Sequence, residues 1–140
     1  MNLSQSLYDT LITVSEAIKP SGYVLLDNSY IPEEVQTNYN RCLRQNSFYE
    51  QITTAGFEII QEVIFEKDFI EESDSYIFNS IEKRINELKS EYPGKKEIFD
   101  EYLKVQEDEN YILENELITG MWLLKLKTIS YNWRNLAGDN

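Results

Sequence analysis

Carboxylates are the side chains in this sequence whose number and spacing suggest chemistry. The chain has 140 residues, with 25 Asp and Glu against 13 Lys and Arg, and no histidine. Asp68-x-x-Glu71 and Glu97-x-x-Asp100 each set two acids one helical turn apart. Two such pairs facing each other could hold Mg²⁺ through oxygen ligands. Other chemistries are closed off. Without histidine there is no Ser-His-Asp or Cys-His arrangement, no Glu-x-x-His di-iron site and no His-bearing zinc motif. Cys42 is the single cysteine, so it builds neither a thiolate metal site nor an internal disulfide. Gly56 and Gly120 are isolated and Gly94 follows Pro93 in a turn, which leaves no glycine-rich phosphate loop. No cofactor is expected.

The formal charge of −12 is unevenly placed. Residues 58–74 carry seven acids and one base, and residues 97–116 carry eight acids and Lys104. The remainder of the chain is close to neutral, so the excess sits in two blocks. Solubility alone does not require that concentration. Tyr76, Tyr92, Tyr102 and Tyr111 fall inside or beside the blocks, and tyrosines with charged neighbours are typical of interface centres. A partner-binding surface is therefore expected from Glu58, Glu62, Glu66, Asp68, Glu71, Glu72 and Asp74 in the first block. The second block adds Glu97, Asp100, Glu101, Tyr102, Glu107, Asp108, Glu109 and Tyr111. The partner it fits is a basic protein, a toxin or a nucleic-acid-binding protein. Direct binding of nucleic acid or of an anionic membrane is disfavoured by the charge.

The elements that would position these residues read as helices. Leu3, Leu7, Leu11, Val14 and Ile18 step by four and three, a helix ended by Pro20 and Gly22. Tyr23–Leu26 reads as a short strand or a packed connection. Pro32 with Glu33 and Glu34 predicts a helix start, and Ser47 with Glu50 has the spacing of a capping box. Phe57–Phe65 predicts a helix with Glu58, Glu62 and Glu66 in one row, with a strand pair as the competing reading because β-branched residues are dense there. Like charges in such a row cost roughly 0.2–0.5 kcal/mol per pair. Further helices are expected from Asp74 or Ser75 to Tyr92, and from Lys95 onward with a fresh start near Asp108 or Asn110. The last runs along Ile118, Trp122, Leu126, Ile129 and Trp133. The expected fold is all-α, a single domain over residues 1–140 with five to seven helices and at most one short strand or hairpin.

Two resemblances bear on function. The spacing at Asp68, Glu71, Glu97 and Asp100 is loosely similar to the acidic pairs of all-α nucleotide pyrophosphohydrolases, which implies Mg²⁺-dependent nucleotide hydrolysis. That family has Glu at both ends of its first pair, where this chain has Asp68. In size, acidity and lack of catalytic residues the chain resembles bacterial toxin-immunity proteins, which implies a non-enzymatic inhibitor of a basic nuclease. Small phage proteins that mimic DNA charge belong to the same physical class. The expected function is the inhibitor, with a helical adaptor or regulatory subunit as the alternative. The first 10 residues contain neither Lys nor Arg and the longest uncharged apolar run, Leu117–Leu124, is short, so a cytoplasmic address is expected.

Overall fold

In the computed structural model, which describes residues 3–127, the apolar run at Phe57–Ile64 is a strand and not a helix. In chain order the elements are α1 (Leu3–Ala17), β1 (Tyr23–Tyr30), α2 (Gln45–Thr54) and β2 (Phe57–Ile64). They continue with α3 (Lys67–Glu91), a 3₁₀ turn at Pro93–Lys95, α4 (Lys96–Asn115) and β3 (Ile118–Leu126). The architecture is mixed α/β, which corrects the all-α expectation. By its contacts the described chain divides into two units, residues 3–64 with 118–127, and residues 65–117.

The first unit is a three-stranded sheet in the order β1-β3-β2, with β3 antiparallel to both neighbours. β1 and β2 therefore run parallel to each other, one on either side of β3. Burial decides for strand over helix. Gly120, Trp122, Leu124 and Leu126 are buried at alternate positions of β3, the period of a strand with one covered face. Phe57 is fully buried at the start of β2, just after Gly56 turns the chain with φ 98°. Each large side chain placed in this core is worth roughly 1.5–3 kcal/mol. Helix propensities differ by only about 0.7 kcal/mol per residue, so they cannot outweigh that gain.

The register β1–β3 runs from Tyr23↔Lys125 to Tyr30↔Ile118 without interruption. That of β2–β3 starts at Phe57↔Leu126 and shifts between Ile59 and Gln61, leaving Ile60 as the extra residue of a bulge. Gly120 lets β2 come close, since a Cβ there would stand 2.4 Å from the Val63 carbonyl oxygen. Leu7 and Leu11 of α1, with Phe48, Ile52 and Ala55 of α2 and its cap, pack with Tyr30, Phe57, Trp122, Leu124 and Leu126 in one core. The Tyr8 amide donates to Gln51 Oε1 at 3.0 Å and ties α1 to α2. On the opposite sheet face Tyr23, Leu25 and Val63 are exposed.

Three other helix expectations are corrected. Residues 32–43 form no helix: Arg44 Nη1 donates to the carbonyls of Pro32 and Val35, at 3.2 and 2.9 Å, and holds that segment as a loop. The cap of α2 is Arg44, without a side-chain cap bond, so the Ser47 box does not form. The helix expected through Trp122 is β3 over Ile118–Leu126, while Ile129 and Trp133 lie outside the described residues.

The second unit is the helix pair α3 and α4. Ile70 and Ile85 are its buried side chains on α3. α3 begins at Lys67, well before Asp74, and α4 runs unbroken through Asp108 and Asn110. Lys89 pairs with Asp100 near the connecting turn, and Lys67 Nζ donates to Asn115 Oδ1 at 3.1 Å at the far end, so the helices are antiparallel.

Candidate functional site

The parallel strands β1 and β2 send their carboxyl ends the same way, and a group of aromatic side chains meets a carboxylate there. β1 supplies Tyr30, its last residue, and α2 supplies Phe48 and Tyr49 from its exposed-to-buried boundary. β2 supplies Glu62 and β3 supplies Trp122. Phe48 packs against Trp122 with ring centres 4.8 Å apart, and Tyr30 lies 5.3 Å from Phe48 and 5.6 Å from Tyr49. Glu62 faces this group because the bulge at Ile60 sets it opposite Trp122. Its Oε1 accepts hydrogen bonds from the Tyr49 hydroxyl and from Trp122 Nε1.

The electrostatics follow from that geometry. Burial pushes the Tyr49 phenol above its ordinary range, and the hydrogen bond to Glu62 pushes it further. Tyr49 therefore stays a neutral donor at any physiological pH. Glu62 itself is exposed, so one oxygen is fixed by the two donors while the group remains open to water. The arrangement presents an exposed carboxylate held from behind by buried aromatic side chains. It can accept a proton or balance a positive charge on a bound molecule.

Next to this end of β1, a cavity of about 180 Å³ is lined by Leu7, Thr10, Leu26, Asn28, Arg41, Cys42 and Leu43, among others. Burial raises the Cys42 thiol, so it is a protonated, weakly nucleophilic group.

The acidic residues expected to form a partner surface are scattered. In the first unit, Glu58 stands opposite Lys125 and Glu62 opposite Trp122, on different faces of the sheet, so the helical row with Glu66 does not exist. Glu66 is the cap residue of α3 in the second unit. There, Asp68 sits in the first turn of α3, Glu71 lies 3.9 Å from Lys67 and Asp108 3.5 Å from Lys104. Glu72, Glu97, Glu101, Tyr102 and Glu109 are exposed. The helix pair does bring the two blocks together at one place: Asp74, Glu107, Asp108, Tyr111 and Glu114 line an open groove of about 540 Å³. Glu114 is held above the usual carboxylate range by burial and then by Asp74, and Lys67 opposes the shift. Asp74 Oδ2 in this groove is buried without a hydrogen-bond partner.

The Mg²⁺ pairs do not meet. Asp68 and Glu71 are at the start of α3, while Asp100 pairs with Lys89 at its far end, roughly 30 Å away along the helix. Among the described residues no cluster of His, Cys, Asp or Glu could hold a metal ion. No helix among them is long and apolar enough to cross a membrane.

Sequence reasoning placed Glu62 among the functional residues but gave it the wrong surroundings, and it missed Tyr30, Phe48, Tyr49 and Trp122 as a group. Glu62 and Tyr49 are 13 positions apart and Glu62 and Trp122 are 60 apart, so only the sheet register unites them. The alternation of Gly120, Trp122, Leu124 and Leu126 was the available signal, masked by Met121 and Leu123 between them.

No protein-family profile and no curated protein sequence matches the chain. Solved structures do. The chain is similar to the cyclopropane synthase MmaA2 from Mycobacterium tuberculosis, with a TM-score of 0.71 and 10% identity over 87% of this chain and 50% of that one. It is similar to a SAM-dependent methyltransferase from Geobacter sulfurreducens in complex with S-adenosyl-L-homocysteine, with a TM-score of 0.65 and 12% identity. That match covers 86% of this chain and 52% of the other. It is also similar to YjhP from E. coli, with a TM-score of 0.60 and 12% identity over 81% of this chain and 49% of that one. The chain thus spans about half the length of the structures it matches. These likenesses correct the expectation of a non-enzymatic immunity protein: a cyclopropane synthase and a SAM-dependent methyltransferase are enzymes, and the fold shared with them is no helical inhibitor bundle. Over most of its length, this chain is similar in fold to about half of each of these structures.

Proposed function

We propose that the chain is one half of a methyl-transfer module and that it contributes the acceptor side of the site. The observation that carries this reading is the sheet. Two parallel strands flank an antiparallel third, within a likeness to methyltransferase structures that extends over more than four-fifths of the chain. In open α/β sheets, ligands gather outside the carboxyl ends of the parallel strands. The Tyr30, Phe48, Tyr49, Glu62 and Trp122 group occupies that end here. The exposed Glu62 carboxylate would hold a proton from the acceptor or balance its charge, with Tyr30, Phe48 and Trp122 as the buried support behind it and Tyr49 as a donor that fixes it.

The described residues do not themselves fit the methyl donor. The exits of β1 and β2 contain no glycine to bring backbone amides close to a ligand. The cavity beside β1, about 180 Å³, is smaller than the ~300–1,000 Å³ of ordinary cofactor pockets. The larger groove is walled by carboxylates of the second unit, which repel the carboxylate of the donor's methionyl moiety. Donor binding is therefore assigned to the part of the matched structures that these residues do not cover.

The test is to isolate the chain from its source at low salt and measure transfer of labelled methyl from S-adenosylmethionine to co-purifying acceptors. Transfer that falls by about tenfold or more in Glu62→Gln is expected. Preparations with no transfer and no retention of S-adenosylhomocysteine would overturn the reading. The purified chain alone is expected to bind S-adenosylhomocysteine no more tightly than millimolar in calorimetry.

A further inference from the structure

The cavity of about 180 Å³ between α1, β1 and residues 41–43 reverses the charge of the chain around it. The sequence has 25 acids against 13 bases, yet among the described residues this cavity is lined by one base, Arg41, and by no Asp or Glu. Arg41 has no carboxylate partner among the described residues, despite that excess of acids. Its guanidinium offers a planar fork of N–H donors that matches a carboxylate. Two more donors line the same space. Asn28 Oδ1 accepts from the Ser29 amide at 2.7 Å, which leaves Asn28 Nδ2 as the donor of that side chain. The Thr10 hydroxyl, on α1, has no hydrogen-bond partner among the described residues. Cys42 is a neutral thiol, since burial raises it, and so does not oppose an anion. Leu7, Leu26, Leu43 and Phe48 make the rest of the wall apolar, with Leu7 and Phe48 buried.

We propose that this cavity binds a small aliphatic carboxylate, its head on Arg41, Asn28 and Thr10 and its tail against Leu7, Leu26, Leu43 and Phe48. The volume sets the size of the ligand. Water takes about 30 Å³ per molecule in the liquid, so the 180 Å³ holds the bulk of about six waters, which suits a chain of about four to six carbons. Inorganic phosphate fits less well, because the apolar wall gives no donor to most of its oxygens, and polar groups buried without partners are costly. A neutral tail fits less well for the opposite reason, since it leaves the Arg41 guanidinium without a charge-assisted hydrogen bond. The inference goes beyond the methyl-transfer reading and does not need it, as the cavity shares only Phe48 with the Glu62 group.

The test is an NMR titration of the isotope-labelled full chain with sodium pentanoate. Saturable shifts at Thr10, at the Asn28 side-chain amide and at Leu43 are expected, with a Kd of about 1 mM or tighter. n-Pentanol, which keeps the tail, and inorganic phosphate, which keeps the charge, should each bind about tenfold or more weakly. Arg41→Gln should weaken pentanoate by about tenfold or more and leave n-pentanol unchanged. Arg41 is exposed, so this variant keeps the fold, which its unshifted core resonances would verify. No saturable shift up to about 20 mM pentanoate, equal binding of n-pentanol or phosphate, or an unchanged Kd in Arg41→Gln overturns the proposal. No methyl donor enters the titration, so its failure and that of the transfer assay are separate results.

Discussion

The two strands that flank β3 pair with it in the same antiparallel sense, yet their outer sides are built differently. β2 carries Glu58 and Glu62 and is broken by the bulge at Ile60, which bends the strand and spoils its outer ladder. β1 has an uninterrupted register and a single acid. β2 also exposes apolar groups, Ile60 at 47% and Val63 at 48%, so apolar exposure alone does not separate the strands. The bulge does. It ends regular pairing on the β2 side and at the same time turns Glu62 toward Trp122, so one irregularity closes an edge and builds a site. The lesson is that β2 is an edge broken by its bulge, whereas β1 keeps a regular ladder and runs on into Ile31, which pairs in parallel with Arg44.

The strongest way to break this comparison is to damage the pairing on which the β2 side depends. Gly120→Val places a side chain against the Val63 carbonyl, where even a Cβ would stand 2.4 Å away. Backbone cannot yield as a flexible side chain can, so a loss of about 1–3 kcal/mol or more is expected in urea unfolding. Gly94→Ala is the control, since nothing lies within 4 Å of a Cβ there. Equal stability of the two variants would show that β2 does not pack on β3 as described.

A smaller effect is expected at the site the bulge creates. Glu62→Leu removes the acceptor of the Trp122 indole N–H and of the Tyr49 hydroxyl. Trp122 is fully buried, so its donor has no water to turn to, and a cost of about 1–3 kcal/mol follows. Glu62→Gln keeps an acceptor oxygen and should recover most of that loss. The Tyr49 absorbance titration supplies an independent check: the phenol should ionise at lower pH in Glu62→Leu than in the parent, because the second-largest of the causes that raise it is gone.

These residues also mark how far the sequence was legible. α1 and α4 show apolar steps of three and four, and both form as helices close to where that spacing puts them. β2 and β3 offer the same steps by accident, because Phe57, Ile60 and Ile64, or Ile118, Trp122 and Leu126, satisfy a helical spacing while lying in strands. In β3 Met121 and Leu123 between the buried positions are also apolar, which hides the period of two, and in β2 the bulge at Ile60 interrupts it. Pro32 with two following acids mimics a helix start, and what overrides it is Arg44, a residue 12 positions away that gathers the loop carbonyls. The Mg²⁺ pairs failed for a topological reason, since a long antiparallel helix pair puts its first and last turns at opposite ends. Glu62 was visible as an acid but its role was not, because the register that gives it Trp122 is a property of the folded sheet.

A weaker and pH-dependent effect is expected in the helix pair, where no strand edge is involved. Glu114 has a raised carboxyl pKa, so the folded state holds its proton to higher pH than the unfolded chain does. Stability from this group is therefore fully present below the ordinary glutamate value and falls as pH rises through the raised one. Asp100, lowered first by the hydrogen bond from Lys89, runs the other way: its contribution is present above the ordinary aspartate value and is lost as pH falls. Melting temperatures of Glu114→Gln and the parent should converge near pH 4 and separate toward pH 7, with the variant the more stable. A variant less stable than the parent at pH 7 would contradict the raised Glu114 carboxyl.

The smallest effect on stability should come from the exposed face of the sheet. Leu25 is 62% exposed, so Leu25→Lys removes little buried area from the isolated chain. A change within about 0.5 kcal/mol is expected in urea unfolding. The lysine would also put on β1 the kind of charge by which natural edge strands resist further pairing. The same substitution at Val63, 48% exposed on the same face of the sheet from β2, should cost as little, and a loss above about 1 kcal/mol in either variant would show that this face is covered.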